Sequence, residues 1–293
     1  MSNEITPVPQ IDQKQNVHSY FNQSKGWQGE LYGEQDDYFA RVIRRRKEYS
    51  LALLNEFVDD TSGKVLDIGC GSGVYVEALY KMGFDVTGVD MSEEMIASTR
   101  KRMEMVGNDS DKIHLRIGDV ENIPAPDNEF DLVICIGVFG YLLSDERAQA
   151  EIRRVLKPNG KLVLNLTNIY SLSDIDFVFR KRIKSLFRKG TDVDDKAKCP
   201  DYAVQSNWTI TERKYFFKAY NPWKYERVMA KEGFRKLRAM TYGFEFRILR
   251  KLKLIPLRWL DKVELMLERI IHKFNIPYLS YSGWVYTGMF TKS

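Results

Sequence analysis

Between Lys64 and Leu166, short apolar runs rich in Val and Ile alternate with stretches whose apolar residues recur every three or four positions. Runs ending at Ile68, Asp90, Asp119 and Ile136 read as buried strands, and Val74 to Met82 reads as the helix after the first. Within Arg153 to Leu166 a helix end, a Pro-Asn-Gly turn and a fifth strand follow one another. Such alternation predicts an α/β fold, a parallel sheet with helices on both faces. Right-handed crossovers then gather the strand C-termini along one edge, where ligands bind.

Flanking patterns are less regular. Residues 1–16 are polar, carry Pro7 and Pro9, and read as a flexible tail. Residues 17–60 read as a segment that docks onto a ligand or packs on the domain, followed by a helix from Asp36 to Val58. The segment is dense in aromatics (Tyr20, Phe21, Trp27, Tyr32), and the helix has Phe39, Ile43, Leu51, Leu54 and Phe57 among its apolar positions. Arg44 to Lys47 interrupt that helix, either as a solvated face or with one arginine reaching a ligand carboxylate. The domain proper, 61–293, holds insertions at 171–220 and 243–282. The first contains the basic run Arg180 to Lys184, and the second is basic and amphipathic. Between them the pattern resumes with a helix at 223–232, ended by Gly233. The last two strands are expected at Arg235 to Tyr242 and Gly283 to Thr291.

The chemistry starts where the first strand ends, in Val65-Leu-Asp-Ile-Gly-Cys-Gly-Ser-Gly73. Glycines at every second position let the backbone turn tightly and approach a ligand, and the next helix aims its free N–H groups there. Asp90 closes the second strand, about twenty residues on, where a carboxylate accepts from both hydroxyls of a ribose. Asp119 closes the third and can accept from an adenine amino group, with Val120 and Met91 over the ring faces. A dinucleotide fingerprint read from Gly69 would need Gly at position 74, which is Val74.

These segments (VLDIGCGSG, GVD, Asp119-Val120, FDLVICIGVFGYL and RRVLKPNGKLVLNL) resemble the class I S-adenosylmethionine-dependent methyltransferases, in the small-molecule, type 11/25-like group. The resemblance covers Lys64 to Leu166 and implies a Rossmann-like, seven-stranded, mostly parallel sheet. To that core the N-terminal lid and two helical insertions are added. It implies S-adenosyl-L-methionine as cofactor and S-adenosyl-L-homocysteine as product. Asp67, Gly69, Cys70, Gly71 and Gly73 would hold the methionine side, Asp90 the ribose, and Met91, Asp119 and Val120 the adenine. Ile136 would floor the crevice. Tyr20-Phe21-Asn22, with Trp27 and Tyr32-Gly33, is faintly similar to the head of magnesium-protoporphyrin O-methyltransferases.

Methyl transfer needs alignment more than a nucleophilic side chain, and a hydroxyl acceptor benefits from a general base. His18, Tyr20 and Tyr141 are the catalytic candidates. His114 reads as structural and His272 as a surface residue. After the fourth strand the chain offers Cys135 to Tyr141, without the Asn/Asp-Pro-Pro-aromatic motif of nucleobase enzymes. Phe139 and Tyr141 point instead to an apolar, aromatic-walled pocket. Catechol-type enzymes bind a cation through acids at the ends of strands four and five. Here Ile136 and Asn168 stand there, so no metal is expected.

The expected activity is methylation of O or N of a small, fairly hydrophobic acceptor, natural-product or lipid-like. RNA methylation and a non-catalytic cofactor-binding partner are the alternatives, with nucleic acid disfavoured as a ligand. The insertions read three ways: a cover over the pocket, a membrane-surface contact, or a phosphate-binding face. Composition changes little. The charge of +5 is modest, and Cys70, Cys135 and Cys199 have no metal-like spacing. Those cysteines make a disulfide framework unlikely, so a reducing cytoplasm is expected, with membrane association if the insertions bind lipid. No apolar stretch reaches membrane-spanning length. The sequence leaves the oligomeric state open.

Overall fold

The computed structural model of the chain describes residues 13–23, 38–107, 110–171, 203–206, 215, 217–244, 256–274, 276 and 279–293. Trp27, Tyr32, Gly33, Cys199, and the runs 180–184 and 188–189 lie outside the described residues.

Seven strands form one sheet: β1 (Lys64–Ile68), β2 (Asp85–Asp90), β3 (Ile113–Ile117), β4 (Phe130–Cys135), β5 (Leu156–Thr167), and two later ones, β8 (Phe234–Tyr242) and β9 (Val285–Lys292). Their order is β3-β2-β1-β4-β5-β9-β8. The first five run parallel, and β9 is antiparallel to both of its neighbours. This is the expected mostly parallel, Rossmann-like sheet. Parallel pairing puts Asp67 beside Gly88 and Asp90 beside Ile117, so the acidic strand ends share one edge. Between Leu156 and Lys161 the register slips, and Asn159 adopts φ 61°. The Pro-Asn-Gly turn is thus absorbed as a bulge at the start of β5.

Residues alternate across the sheet with period two. Leu66, Ile68, Val133, Cys135, Leu162 and Leu164 face α5 (Asp145–Val155) and α6 (Pro222–Lys231). Val65, Leu132, Ile134 and Val163 face α2 (Tyr38–Phe57), α3 (Val74–Met82) and α4 (Glu93–Val106). Truncating a fully buried side chain of this core, Leu79 of α3 for example, costs about 2–5 kcal/mol. Asn221 caps α6, its side chain accepting from Lys224 N, with Pro222 in the first turn.

Several boundaries differ from the sequence reading. Residues 13–16 are not tail but the first turn of α1 (Gln13–Gln23), because Gln13 is buried and donates to Tyr141 O at 3.0 Å. The first insertion is not helical where it is described. Its Ala203–Ser206 (β6) and Phe217–Tyr220 (β7) pair as an antiparallel ribbon. Extended backbone at Tyr220 lets its carbonyl accept from Ile169 N at 2.9 Å, tying the ribbon to the end of β5. The second insertion is helical as expected over α7 (Leu257–Phe274). His272, read as a surface residue, packs edge-on against Tyr49, and its Nε2 lies 2.8 Å from Thr241 O. His114, on edge strand β3, pairs with Asp85 at 3.1 Å, a structural role as expected.

Candidate cofactor crevice and aromatic mouth

Gly69, Gly71 and Gly73 all take left-handed φ values of 71°, 52° and 77°, which explains their alternate spacing. The turn brings Gly69 N and Cys70 N onto Val89 O, at 2.7 and 3.0 Å. Gly71 N then donates to Asp90 Oδ2 at 2.8 Å, and Ser92 N to Asp90 Oδ1 at 2.9 Å. Two backbone amides therefore fix the Asp90 carboxylate, which keeps acceptor capacity for further donors. From α4, Thr99 Oγ1 donates to Gly71 O at 2.7 Å and Arg102 Nε to Ser72 O at 2.9 Å. Neither was singled out from the sequence, since nothing local marks a residue that braces a loop nearly thirty positions away.

Asp67 lies under the loop, 1% exposed, and its Oδ2 has no hydrogen-bond partner among the described residues. Burial, with the Asp90 charge nearby, pushes its pKa up to about 8. Cys70 and Cys135 are buried free thiols, both pushed up by burial. Ile136 and Val120 are buried, at 7% and 6% exposure, and Met91 is partly buried beside Asp90. Asp119 accepts from Glu121 N at 3.0 Å and pairs with Lys14 of α1. The cationic cluster divides. Arg45 turns to Glu268 of α7 at 2.8 Å. Arg46 turns to the crevice, its Nη1 3.2 Å from where a Cβ on Gly137 would stand.

Helix α1 brings two different stripes to this edge. Lys14, His18 and Asn22, four apart, meet the acids and the start of α4. His18 Nε2 lies 3.2 Å from Glu93 Oε2, and Asn22 bonds Glu93 and Ser92 at 2.9 and 2.6 Å. The other stripe carries Gln13, Val17, Tyr20 and Phe21 to the residues after β4. Tyr20 packs on Tyr215, Phe21 on Tyr141, and Tyr141 on Tyr215 and Phe217, all edge to face at 4.9–5.7 Å. Tyr20 and Tyr141 thus share one aromatic mouth, and His18 stands apart beside Glu93. Phe139, expected in the pocket wall, is fully buried against Tyr225 in the core. Gly140 makes room for the Phe217 ring, whose nearest atom would stand 2.3 Å from a Cβ there.

The end of β5 carries no acid. Asn168 is a buried clamp, Nδ2 donating to Gly283 O at 2.9 Å and Oδ1 accepting from Tyr170 N at 2.9 Å. The crevice fits a nucleoside joined to a cationic, amino-acid-like tail. Asp90 is preset for a diol, and Asp67 is a buried carboxylate in want of a donor.

Residues 66–164 match the family model described as a methyltransferase domain. The chain is 36% identical over 149 residues to a sterol 24-C-methyltransferase of Gibberella zeae, covering 50% of this chain and 37% of that protein. It is 32% identical over 133 residues to the ubiquinone biosynthesis O-methyltransferase of Coxiella burnetii, covering 43% and 53%. The match therefore spans about half or less of these relatives' own length. Magnesium protoporphyrin IX methyltransferase from Synechocystis PCC 6803, solved with bound S-adenosylhomocysteine, superposes with a TM-score of 0.60 at 16% identity over 96% of this chain and all of that one, a likeness of fold. Residues 66–164 therefore form a methyltransferase domain, and the glycine loop and the two acidic strand ends lie within it.

Proposed function

We propose that the chain transfers a methyl group from S-adenosylmethionine to O or N of a small, lipid-like acceptor. The observation that carries this reading is the ring cluster of Tyr20, Phe21, Tyr141, Tyr215 and Phe217 beyond the end of β4. Rings from three separate segments make an apolar, water-poor surface suited to an apolar acceptor. Relatives named for a sterol and for ubiquinone biosynthesis support a lipid-like class without choosing within it.

In this reading Asp90 accepts from the ribose hydroxyls, Asp119 accepts from the adenine amino group, and Val120 and Met91 cover the ring. The loop from Gly69 to Gly73, Cys70 included, follows the methionine part, with Asp67 facing its amino group and Arg46 its carboxylate. Ile136 floors the site. When bound, the cofactor supplies a methyl group already activated on a sulfonium. The protein's share is alignment and exclusion of water. The Tyr141 or Tyr20 hydroxyl is the base candidate for a hydroxyl acceptor. His18, held by Glu93, positions α1 instead.

The test is methyl transfer followed by mass spectrometry against a prenylated catechol, a sterol, phosphatidylethanolamine and transfer RNA. Methylation of an apolar acceptor, with kcat lowered in Tyr141→Phe and KM raised in Tyr141→Ala, is the expected result. Transfer to RNA alone overturns the reading.

A further inference from the structure

Helix α7 is packed inside out. Its three acids all turn inward: Glu264 and Glu268 are buried, and Asp261 pairs with Arg41 at 3.3 Å. Glu268 is fully enclosed, accepting from Arg45 at 2.8 Å, Tyr49 OH at 2.8 Å and Gly243 N at 2.9 Å. Leu260 and Ile271 are buried on the same face. The opposite face carries Trp259, Val263, Met266, Ile270 and Phe274, exposed by 54, 43, 56, 37 and 66%. Steps of four, three, four and four residues align them in one stripe, about 22 Å long at 1.5 Å per residue. Exposed Lys262, Arg269 and Lys273 accompany it, with Lys262 Nζ 5.4 Å from the Trp259 ring centre and Lys273 Nζ 5.5 Å from that of Phe274.

We infer that α7 docks this protein on an anionic lipid surface, lying in the headgroup plane. Five aligned apolar side chains in water are costly unless something covers them. The charge pattern says what that is. A second copy would bring two sets of Lys262, Arg269 and Lys273 together, and neither copy offers a free α7 acid to offset them. An anionic bilayer takes the apolar side chains below its headgroups and the three cations among its phosphates. Among the described residues no helix is long and apolar enough to cross a membrane, so α7 rests on the surface. The docking element also reaches the crevice. Arg45, which holds Glu268, is followed by Arg46, which abuts Gly137.

The inference needs no methyl transfer, so its test uses binding alone. The whole chain is sedimented with phosphatidylcholine vesicles, with and without phosphatidylglycerol. Partition onto the anionic vesicles is expected, weakened at least about tenfold by W259S/M266S/F274S. It should be weakened about a hundredfold by K262E/R269E/K273E. Both variants should keep the circular dichroism spectrum and the calorimetric affinity for S-adenosylhomocysteine, since none of these side chains enters the crevice. No partition, or partition that neither variant weakens, overturns the inference. So does a dimer in sedimentation velocity that the Trp259 variant dissolves.

Discussion

The glycine loop and the aromatic mouth adjoin on the same sheet edge, yet they are built differently. In the loop, backbone groups do the work. Gly69, Cys70, Gly71 and Ser92 all hydrogen-bond within or between neighbouring strand ends, and Asp90 is fixed by two amides. The mouth is joined across distant segments, with Gln13 Nε2 donating to Tyr141 O and Tyr220 OH to Phe139 O. Its rings come from α1, the turn after β4 and the ribbon of the first insertion, joined by edge-to-face contacts. A tight turn can be written into local backbone. A ring cluster is assembled from side chains brought from afar.

The sharpest way to break the comparison is Lys218→Ala. Lys218 is 1% exposed and bonds Asp145 Oδ1 at 2.5 Å, and Tyr220 OH donates to Phe139 O at 2.7 Å and lies 3.1 Å from Asp145 Oδ1. Removing the ammonium strands a buried carboxylate and should cost about 3–5 kcal/mol, read by thermal melting. If the regions are independent, the folded variant keeps its affinity for S-adenosylhomocysteine while losing acceptor binding. Asp90→Ala should do the reverse, weakening cofactor binding about a hundredfold by titration calorimetry while the ring cluster persists. Unchanged affinity would remove Asp90 from the ribose site.

Asp67 sharpens the loop's side through pH. Its folded pKa, about 8, lies above its ordinary 3.8, so the folded state holds a proton that the unfolded chain releases. That contribution is full below about pH 4 and is lost as pH rises through about 8. Stability from this group therefore falls across the interval. Cofactor affinity should rise over the same interval, because only the carboxylate attracts a cationic amino group. Asp67→Asn should lower affinity about tenfold and flatten that rise, followed by calorimetry at several pH values. The smallest effect is expected from Lys14→Ala. Lys14, half-exposed, competes for Asp119. Its loss should shift cofactor affinity by no more than about 1 kcal/mol, in the tighter direction.

The strand ends were legible because their signals are local. Asp90 and Asp119 each close an apolar run, Asp67 stands two residues before the first glycine, and the glycines sit where left-handed backbone is needed. Tyr20 and Tyr141 were legible as aromatics but not as a pair, and Tyr215 and Phe217 carried no signal at all. Phe139 was misplaced because turn residues lack the period that separates inward from outward. His18 is a base candidate by its chemistry, and helix phase places it beside Glu93 rather than among the rings.

By itself the sequence determined the α/β order of elements, the glycine loop and the acids at the strand ends, since each depends on residues adjacent in the chain. The tertiary structure decided which rings meet, which arginine of the cluster turns to the crevice, and that α7 buries its acids and shows its apolar side. These depend on how distant helices are phased against one another, and that phase is set by packing across the whole molecule.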